Sequence, residues 1–360
     1  MNVILFIGGL GTGGAERVCI ELANFLVKRH QVTILTLSSK EPTYEIDKEV
    51  RFQPLEKKRK SKVINDLDKI WQLFLYINSH LPDIYVSFLS IPTYLLLLMK
   101  HWIKCPVVFT VRNEPSEEYG EYLKKLITHS ILKRADGAIF QLEKQKEYFH
   151  FPDRVLKVTI PNAIREDWDK DAIDRTVKGK RIISVGRLTK QKNFQLLINA
   201  FIELPEIHKD CTLYIYGEGE ERRTLENLIS THNMTDKIFL PGISEKINVE
   251  LANSDLFVMT SNYEGIPNAL LEAMIMGVPV ISTDFSGGGA RLLIEDNING
   301  IIVKRDDKEE LKKAIKELIE NDFKRKRLGR KAVEVNLRFN PERIYGLWEE
   351  FIVKVAKEKG

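Results

Sequence analysis

The sequence predicts an α/β protein built from two doubly wound parallel sheets. Three observations carry this expectation. Short apolar runs alternate with longer amphipathic segments along most of the chain, the order that builds a parallel sheet covered on both faces. At 360 residues the chain exceeds one ordinary core, so two domains of roughly 150 to 200 residues are expected. A polar, charged stretch between Pro161-Asn162-Ala163 and Gly179, with Arg165-Glu166-Asp167-Trp168-Asp169-Lys170-Asp171 inside it, splits the alternation into two series. This places one domain at residues 1–165 and the other at 166–340.

In the first series Val3 to Ile7 reads as a buried strand, followed by the turn Gly8-Gly9-Leu10-Gly11-Thr12-Gly13-Gly14. The next helix keeps Ala15, Val18, Cys19, Leu22, Ala23 and Leu26 on one face. Val32 to Leu37 follows as a strand, but no acidic ribose binder comes after it and the glycines are not spaced G-x-G-x-x-G, which disfavours a dinucleotide site. Further strands are expected at Ile84 to Phe88, Val107 to Val111, Gly137 to Phe140 and Val155 to Ile160, with helices at Val63 to Ile77 and Tyr119 to Leu132. Arg112-Asn113-Glu114-Pro115 leaves the Val107 strand at its carboxyl end, where open α/β sheets bind ligands, and reads equally as a surface turn.

The second series has strands at Arg181 to Val185, Thr212 to Tyr216, Lys237 to Leu240, Leu256 to Met259, Val278 to Ser282 and Gly300 to Val303. Arg187 leaves directly from the first strand end, and Lys192 stands before the helix Phe194 to Phe201. The two can meet one diphosphate as fork and point charge, or be ordinary solvated cations. Gly217-Glu218-Gly219 and Ser286-Gly287-Gly288-Gly289-Ala290 close two more strands with backbone suited to turns or to close contact with a nucleotide. The stretch from Asp255 to Asp284 is one βαβ unit: strand, turn with Glu264, helix Asn268 to Met276, strand. Pro267 suits a first helical position, so the helix amino terminus offers an anion site beside Glu264, which reads equally as a solvated turn residue. Glu272 lies in a helix apolar on nearly every side and is expected to be buried, facing the same site or paired with a core Arg. The last segment, Pro341 to Lys359, puts Ile344, Leu347, Trp348, Phe351, Ile352 and Val355 on one helical face, with Trp348 as a packing residue.

Composition excludes several classes. With 43% apolar and 29% charged residues the chain is neither disordered nor fibrous. The net charge of +4 conceals the run Lys57-Lys58-Arg59-Lys60-Ser61-Lys62, which reads as a solvated loop or as a contact with anionic lipid or a phosphate-bearing substrate. No aromatic residue interleaves with it, so nucleic acid is disfavoured. Cys19, Cys105 and Cys211 lie far apart, without disulfide or zinc spacing, and fit a reducing cytoplasm. No secretory signal precedes Gly8, and the apolar run Tyr94 to Met99 is far short of the roughly 20 residues a membrane helix needs. The pairs Asp66-Leu67-Asp68 and Asp169-Lys170-Asp171 do not end apolar strands, so neither reads as a metal site, and no phosphate-binding G-x-x-x-x-G-K-[ST] loop is present.

Taken together, Gly13-Gly14-Ala15-Glu16-Arg17, Pro161-Asn162-Ala163, Gly186-Arg187-Leu188 with Lys192-Asn193, Gly217-Glu218-Gly219 and Glu264-Gly265-Ile266-Pro267-Asn268-Ala269-Leu270-Leu271-Glu272-Ala273 form an ordered set. In that order the chain resembles the family-4 retaining glycosyltransferases of the GT-B fold over nearly its whole length. The resemblance implies two Rossmann-like domains facing a cleft, with the final helix 341–360 returning to the first. It implies an acceptor held by the first domain and a nucleoside diphosphate sugar, UDP-linked, by the second. Arg187 and Lys192 then stabilise the departing diphosphate, Glu264 contacts the transferred sugar and Glu272 the ribose. Gly13, Gly14, Gly186, Gly217, Gly242, Ile243, Gly265, Ile266, Pro267, Asn268, Ala269 and Leu270 complete the donor site, and Glu16, Arg112 and Asn113 contact acceptor or sugar. Many relatives carry a histidine where this chain has Arg112 or Asn113, so that residue's role does not carry over. No cofactor and no metal are expected.

The implied reaction moves a hexose or N-acetylhexosamine to a glycan acceptor, most like bacterial enzymes extending lipid-linked oligosaccharides. Contact with the cytoplasmic face of the inner membrane through Tyr94 to Ile103 and the basic run would suit such an acceptor. The alternative is a UDP-sugar epimerase or a sugar-phosphate synthase on the same architecture.

Overall fold

The computed structural model describes residues 1–11, 13–56, 62–119, 122–165, 180–204 and 210–360. Thr12, most of the basic run from Lys57, and the charged stretch with Asp169-Lys170-Asp171 lie outside them. The chain forms two compact units, one of Met1–Ala163 with Pro341–Gly360 and the other of Ile164–Asn340.

The first unit is a seven-stranded sheet of β1 (Asn2–Ile7), β2 (Gln31–Thr36), β3 (Arg51–Pro54), β4 (Ile84–Ser87), β5 (Val107–Val111), β6 (Gly137–Phe140) and β7 (Leu156–Thr159). Its order, β3-β2-β1-β4-β5-β6-β7, reverses direction between β1 and β4, and all its pairs are parallel. Strands β1, β4, β5 and β6 are apolar because both faces are covered. Strand β3 was not expected from sequence: Arg-Phe-Gln-Pro lies at the sheet edge, where one side is solvated and a proline is tolerated.

The final helix Pro341–Lys359 packs on this unit against the helix Gly14–Leu26. It approaches closely enough that a Cβ on Gly137 would lie 3.1 Å from Val355 Cγ2. Trp348 is fully buried and stacks on Phe88 with ring centroids 5.7 Å apart, a packing role as expected. Leu347, expected on the buried face, is exposed, and Tyr345 takes the inward position. The reason is polar as well as apolar: its hydroxyl donates to Glu21 Oε2 at 2.6 Å while its ring lies 5.8 Å from that of Phe25. Of the Tyr94 to Ile103 segment, Leu96, Leu97 and Ile103 are core residues, and only Leu98, His101 and Trp102 are exposed.

The second unit is a six-stranded sheet of β8 (Lys180–Val185), β9 (Cys211–Tyr216), β10 (Ile238–Gly242), β11 (Leu256–Met259), β12 (Val280–Thr283) and β13 (Ile301–Val303). Its order, β10-β9-β8-β11-β12-β13, is again parallel and reverses between β8 and β11. Chains leaving β8 and β11 at their carboxyl ends diverge to opposite sides there, which opens the crevice where such sheets take ligands. No helix among the described residues is long and apolar enough to cross a membrane.

Candidate active site

The reversal between β8 and β11 sets the position of Arg187, Lys192 and Glu264. Arg187 and Lys192 follow β8; Glu264 follows the neighbouring β11. Lys192 Nζ and Glu264 Oε1 are 2.5 Å apart, and both side chains are largely buried. The same carboxylate oxygen accepts from Ser261 Oγ at 3.0 Å. Arg187 is exposed, and no described residue bonds its side chain. The loop after β8 therefore carries one exposed guanidinium and one cation already held by a carboxylate.

Sequence reading missed the residues that hold this arrangement. Gln191 Nε2 donates to the Tyr263 carbonyl at 2.9 Å, the Asn262 amide to the Gln191 carbonyl at 2.8 Å, and Thr260 Oγ1 to the Lys192 carbonyl at 3.0 Å. Thr283 Oγ1, at the end of β12, donates to the Ser261 carbonyl at 2.7 Å. These bonds staple the loops after β8 and β11 to one another and so fix where Lys192 and Glu264 meet. The available signal was a pair of small hydroxyl residues, Thr260-Ser261, directly after an apolar strand.

Gly186, Gly217 and Gly242 lie at the carboxyl ends of adjacent strands. The Gly217 amide donates to the Gly242 carbonyl at 2.8 Å and the Gly186 amide to the Tyr216 carbonyl at 3.0 Å, so this edge is a shelf of bare backbone. Gly217 has φ +138°, and a Cβ there would lie 1.9 Å from the Gly186 oxygen. Lys192 crosses above this shelf, since a Cβ on Gly186 would sit 2.9 Å from its Cε. Ile243 is exposed just past β10. Gly289 presses on the Glu264 turn instead of standing open to a ligand, its Cβ position being 2.0 Å from the Gly265 oxygen.

The helix after Glu264 spans Asn268–Ile275, with Pro267 as its N-cap in extended conformation (φ −76°, ψ 118°). Pro267 thus stands one residue before the helical position expected for it, following the buried turn Glu264-Gly265-Ile266. The first-turn amides of Ala269 and Leu270 have no helical carbonyl four residues back. Glu272 is half-buried, not buried. The helix is covered through Leu270, Leu271, Ala273 and Met274, while Asn268, Ala269 and Glu272 share the open edge at helical spacing.

In the first unit, Gly13 caps the helix Gly14–Leu26, and Gly14 is exposed. A Cβ on Gly13 would lie 2.2 Å from Glu16 Oε2, so Glu16 folds its own carboxylate back over this helix terminus. Arg112 is turned inward. Its Nη2 donates to Asn162 Oδ1, which also accepts from Gln141 Nε2 at 2.7 Å, and its guanidinium lies 5.5 Å from the Trp348 ring centroid. Nε and Nη1 are buried without hydrogen-bond partners among the described residues. Burial pushes this guanidinium down to about 10, and the charge of Arg17 acts in the same direction. The Asn113 carbonyl accepts from Gln145 Nε2 at 3.0 Å, which ties the turn after β5 to the helix Glu143–Tyr148.

Two doubly wound parallel sheets, the second with cations and a carboxylate at its switch point, place this chain among two-domain α/β proteins that can take an anionic ligand at a sheet's carboxyl edge. Comparison with known proteins gives the family. Residues 12–168 match the model of glycosyltransferase family 4, and residues 166–335 match that of group 1 glycosyl transferases. The chain belongs to the family-4 glycosyltransferases and has their two-domain GT-B fold. It is 26% identical over 359 residues to the amylovoran biosynthesis glycosyltransferase AmsD of Erwinia amylovora, covering 97% of this chain and 99% of that one. It is also 26% identical over 365 residues to a Campylobacter jejuni N-acetylgalactosaminyltransferase named for an undecaprenol diphosphate-linked glycan, covering 99% of each. Anabaena HepE, solved with UDP-glucose, superposes with a TM-score of 0.81 at 18% identity, covering 98% of this chain and 99% of that one.

Proposed function

We propose that this glycosyltransferase moves a hexose or N-acetylhexosamine from a UDP-sugar to a lipid-linked glycan, with retention of anomeric configuration, in cell-surface polysaccharide or glycoconjugate assembly. The observation that carries the donor half is the meeting of Lys192 and Glu264 at the β8/β11 switch point, with Arg187 exposed on the same loop as Lys192. When the sugar–phosphate bond breaks, negative charge accumulates on the departing diphosphate. Arg187 meets it as a two-pronged donor and Lys192 as a point charge, with the first-turn amides of the helix Asn268–Ile275 aimed at the same anion. These fixed charges take the part a divalent metal plays elsewhere, so the proposed transfer is metal-independent. Glu264 is held by Lys192 and Ser261 in the place where the transferred sugar is recognised, and Glu272 accepts from the ribose.

UDP-glucose in the HepE structure and the undecaprenol diphosphate in the Campylobacter relative's name support the UDP-sugar and the lipid-linked acceptor. That relative's name also specifies an α-1,4 linkage, the outcome of retention from an α-linked donor. The test is incubation with radiolabelled UDP-hexoses and UDP-N-acetylhexosamines, with and without undecaprenyl diphosphate-linked glycan. The expected result is label in the lipid fraction, α-linked, undiminished by a chelator, and no change in the donor sugar when acceptor is omitted. Epimerised donor without acceptor would instead establish the epimerase reading.

A further inference from the structure

We propose that the cavity at the amino edge of the second unit's sheet binds a small phosphomonoester with an apolar body. The cavity, of about 500 Å³, lies where β8, β11 and β12 begin, and its volume falls in the range of small-molecule sites. Arg187, Lys192 and Glu264 follow the opposite ends of β8 and β11, about 20 Å away along a six-residue strand. This edge is therefore separate from the candidate donor site. One wall is the helix Asp322–Ala332, which closes on the turn before β12: a Cβ on Gly329 would lie 2.3 Å from the Gly277 oxygen.

The ligand's charge follows from which cations already have partners. The lining carries four of them, Arg181, Arg325, Lys326 and Arg330, against one acid, Asp255. Arg181 is held by Glu250 and donates to the Tyr216 hydroxyl at 2.9 Å. Arg325 is buried, meets Asp322 at 2.7 Å and donates to the Leu318 carbonyl at 2.8 Å. Elsewhere on the same helix Lys324 pairs with Glu317 and Lys331 with Glu334, while Arg327 donates to the Asn297 carbonyl. Among the cations of this helix, Lys326 and Arg330 alone bond to no described residue, and both line the cavity. Four residues apart, they stand one turn above another on one helix face, where like charges repel unless an anion lies between them. A phosphomonoester brings close to two negative charges, with oxygens enough for an Arg fork and a Lys ammonium at once. A carboxylate brings one. Met276, Val278 and Val333 give the cavity an apolar side for the body of the molecule. Arg181 Nε and Asn253 Oδ1, on two other lining residues, are buried without hydrogen-bond partners among the described residues, a donor and an acceptor that a polar substituent would satisfy.

The test is calorimetric titration of the full chain with phenyl phosphate, with inorganic phosphate and benzoate as comparison probes. Wild type is set beside Lys326→Ala/Arg330→Ala, Val333→Trp and Arg187→Ala, with circular dichroism checking the fold of each. The expected result is saturable binding of phenyl phosphate, weakened by salt and at least ~tenfold tighter than that of either comparison probe. The double variant should loosen it ~tenfold or more, and Val333→Trp should weaken it by filling the apolar side, while Arg187→Ala leaves it unchanged. No saturable binding, equal affinity for the three probes, or equal affinity in wild type and double variant would overturn the proposal. So would loosening by Arg187→Ala alone, because the probe would then occupy the carboxyl edge of the sheet. Failure of the transferase reading would show instead in the binding of UDP, which the double variant leaves intact.

Discussion

Replacing Glu264 by Gln isolates the charge that holds Lys192. The side chain keeps its volume and an oxygen for Ser261 Oγ, 3.0 Å away, but leaves the Lys192 ammonium, 2.5 Å away, without a counter-charge. At an effective dielectric near 20 the gross attraction at that separation is about 6 to 7 kcal/mol, most of it offset by desolvation of the two groups. A net coupling of roughly 1 to 3 kcal/mol remains. Glu264→Gln should therefore lower the unfolding free energy by about that amount. The double change with Lys192→Met should cost less than the sum of the singles, because it leaves no buried charge unpaired. Sugar transfer should fall ~100-fold or more in each single variant, since each removes a group expected to act on the donor. Urea denaturation and single-turnover transfer measure the two effects. Additive stability losses would show that the ion pair contributes nothing, and a Glu264→Gln enzyme with unchanged turnover would refute the site.

Other changes probe the framework. Gly217→Ala puts a methyl 1.9 Å from the Gly186 oxygen at a backbone angle of φ +138°, so the loops carrying Arg187 and Lys192 must shift. A loss of about 3 kcal/mol or more in stability, read by urea denaturation, should accompany loss of UDP binding. The Glu56 carboxyl is held down at about 2, first by the Ser39 amide and then by Asn65, against an ordinary value of 4.5. A depressed carboxyl stabilises the fold above its unfolded value and loses that contribution as pH falls. Between pH 4.5 and 2 the wild type should lose melting temperature faster than Glu56→Gln, and parallel curves would contradict this.

What was legible in the sequence was what apolar period and strand-end chemistry dictate. Strands β1 and β11 are covered on both faces and read as apolar runs, which located Glu264 after β11; Arg187 and Lys192 were found because they follow β8, whose Ile182 and Ile183 mark a strand despite its polar start. Strand β3 escaped because an edge strand needs no apolar alternation. The exchange of Leu347 for Tyr345 was invisible because it is decided by Glu21, 324 residues away in sequence. Arg112 looked like a ligand contact from its place at a strand end, yet Asn162 and Trp348, which turn it inward, arrive from distant segments. Pairings across the chain, such as Gln191 with Tyr263, leave no local trace in composition or spacing.

On the proposed function, the carboxyl edge of β8 and β11 binds a nucleoside diphosphate through Arg187 and Lys192. Calorimetric titration of UDP into the wild type and into Arg187→Ala tests it most directly. Saturable binding by the wild type and at least ~tenfold weaker binding by the variant are expected, the loss of one charge-assisted bidentate contact. Equal affinity in the two proteins would contradict it.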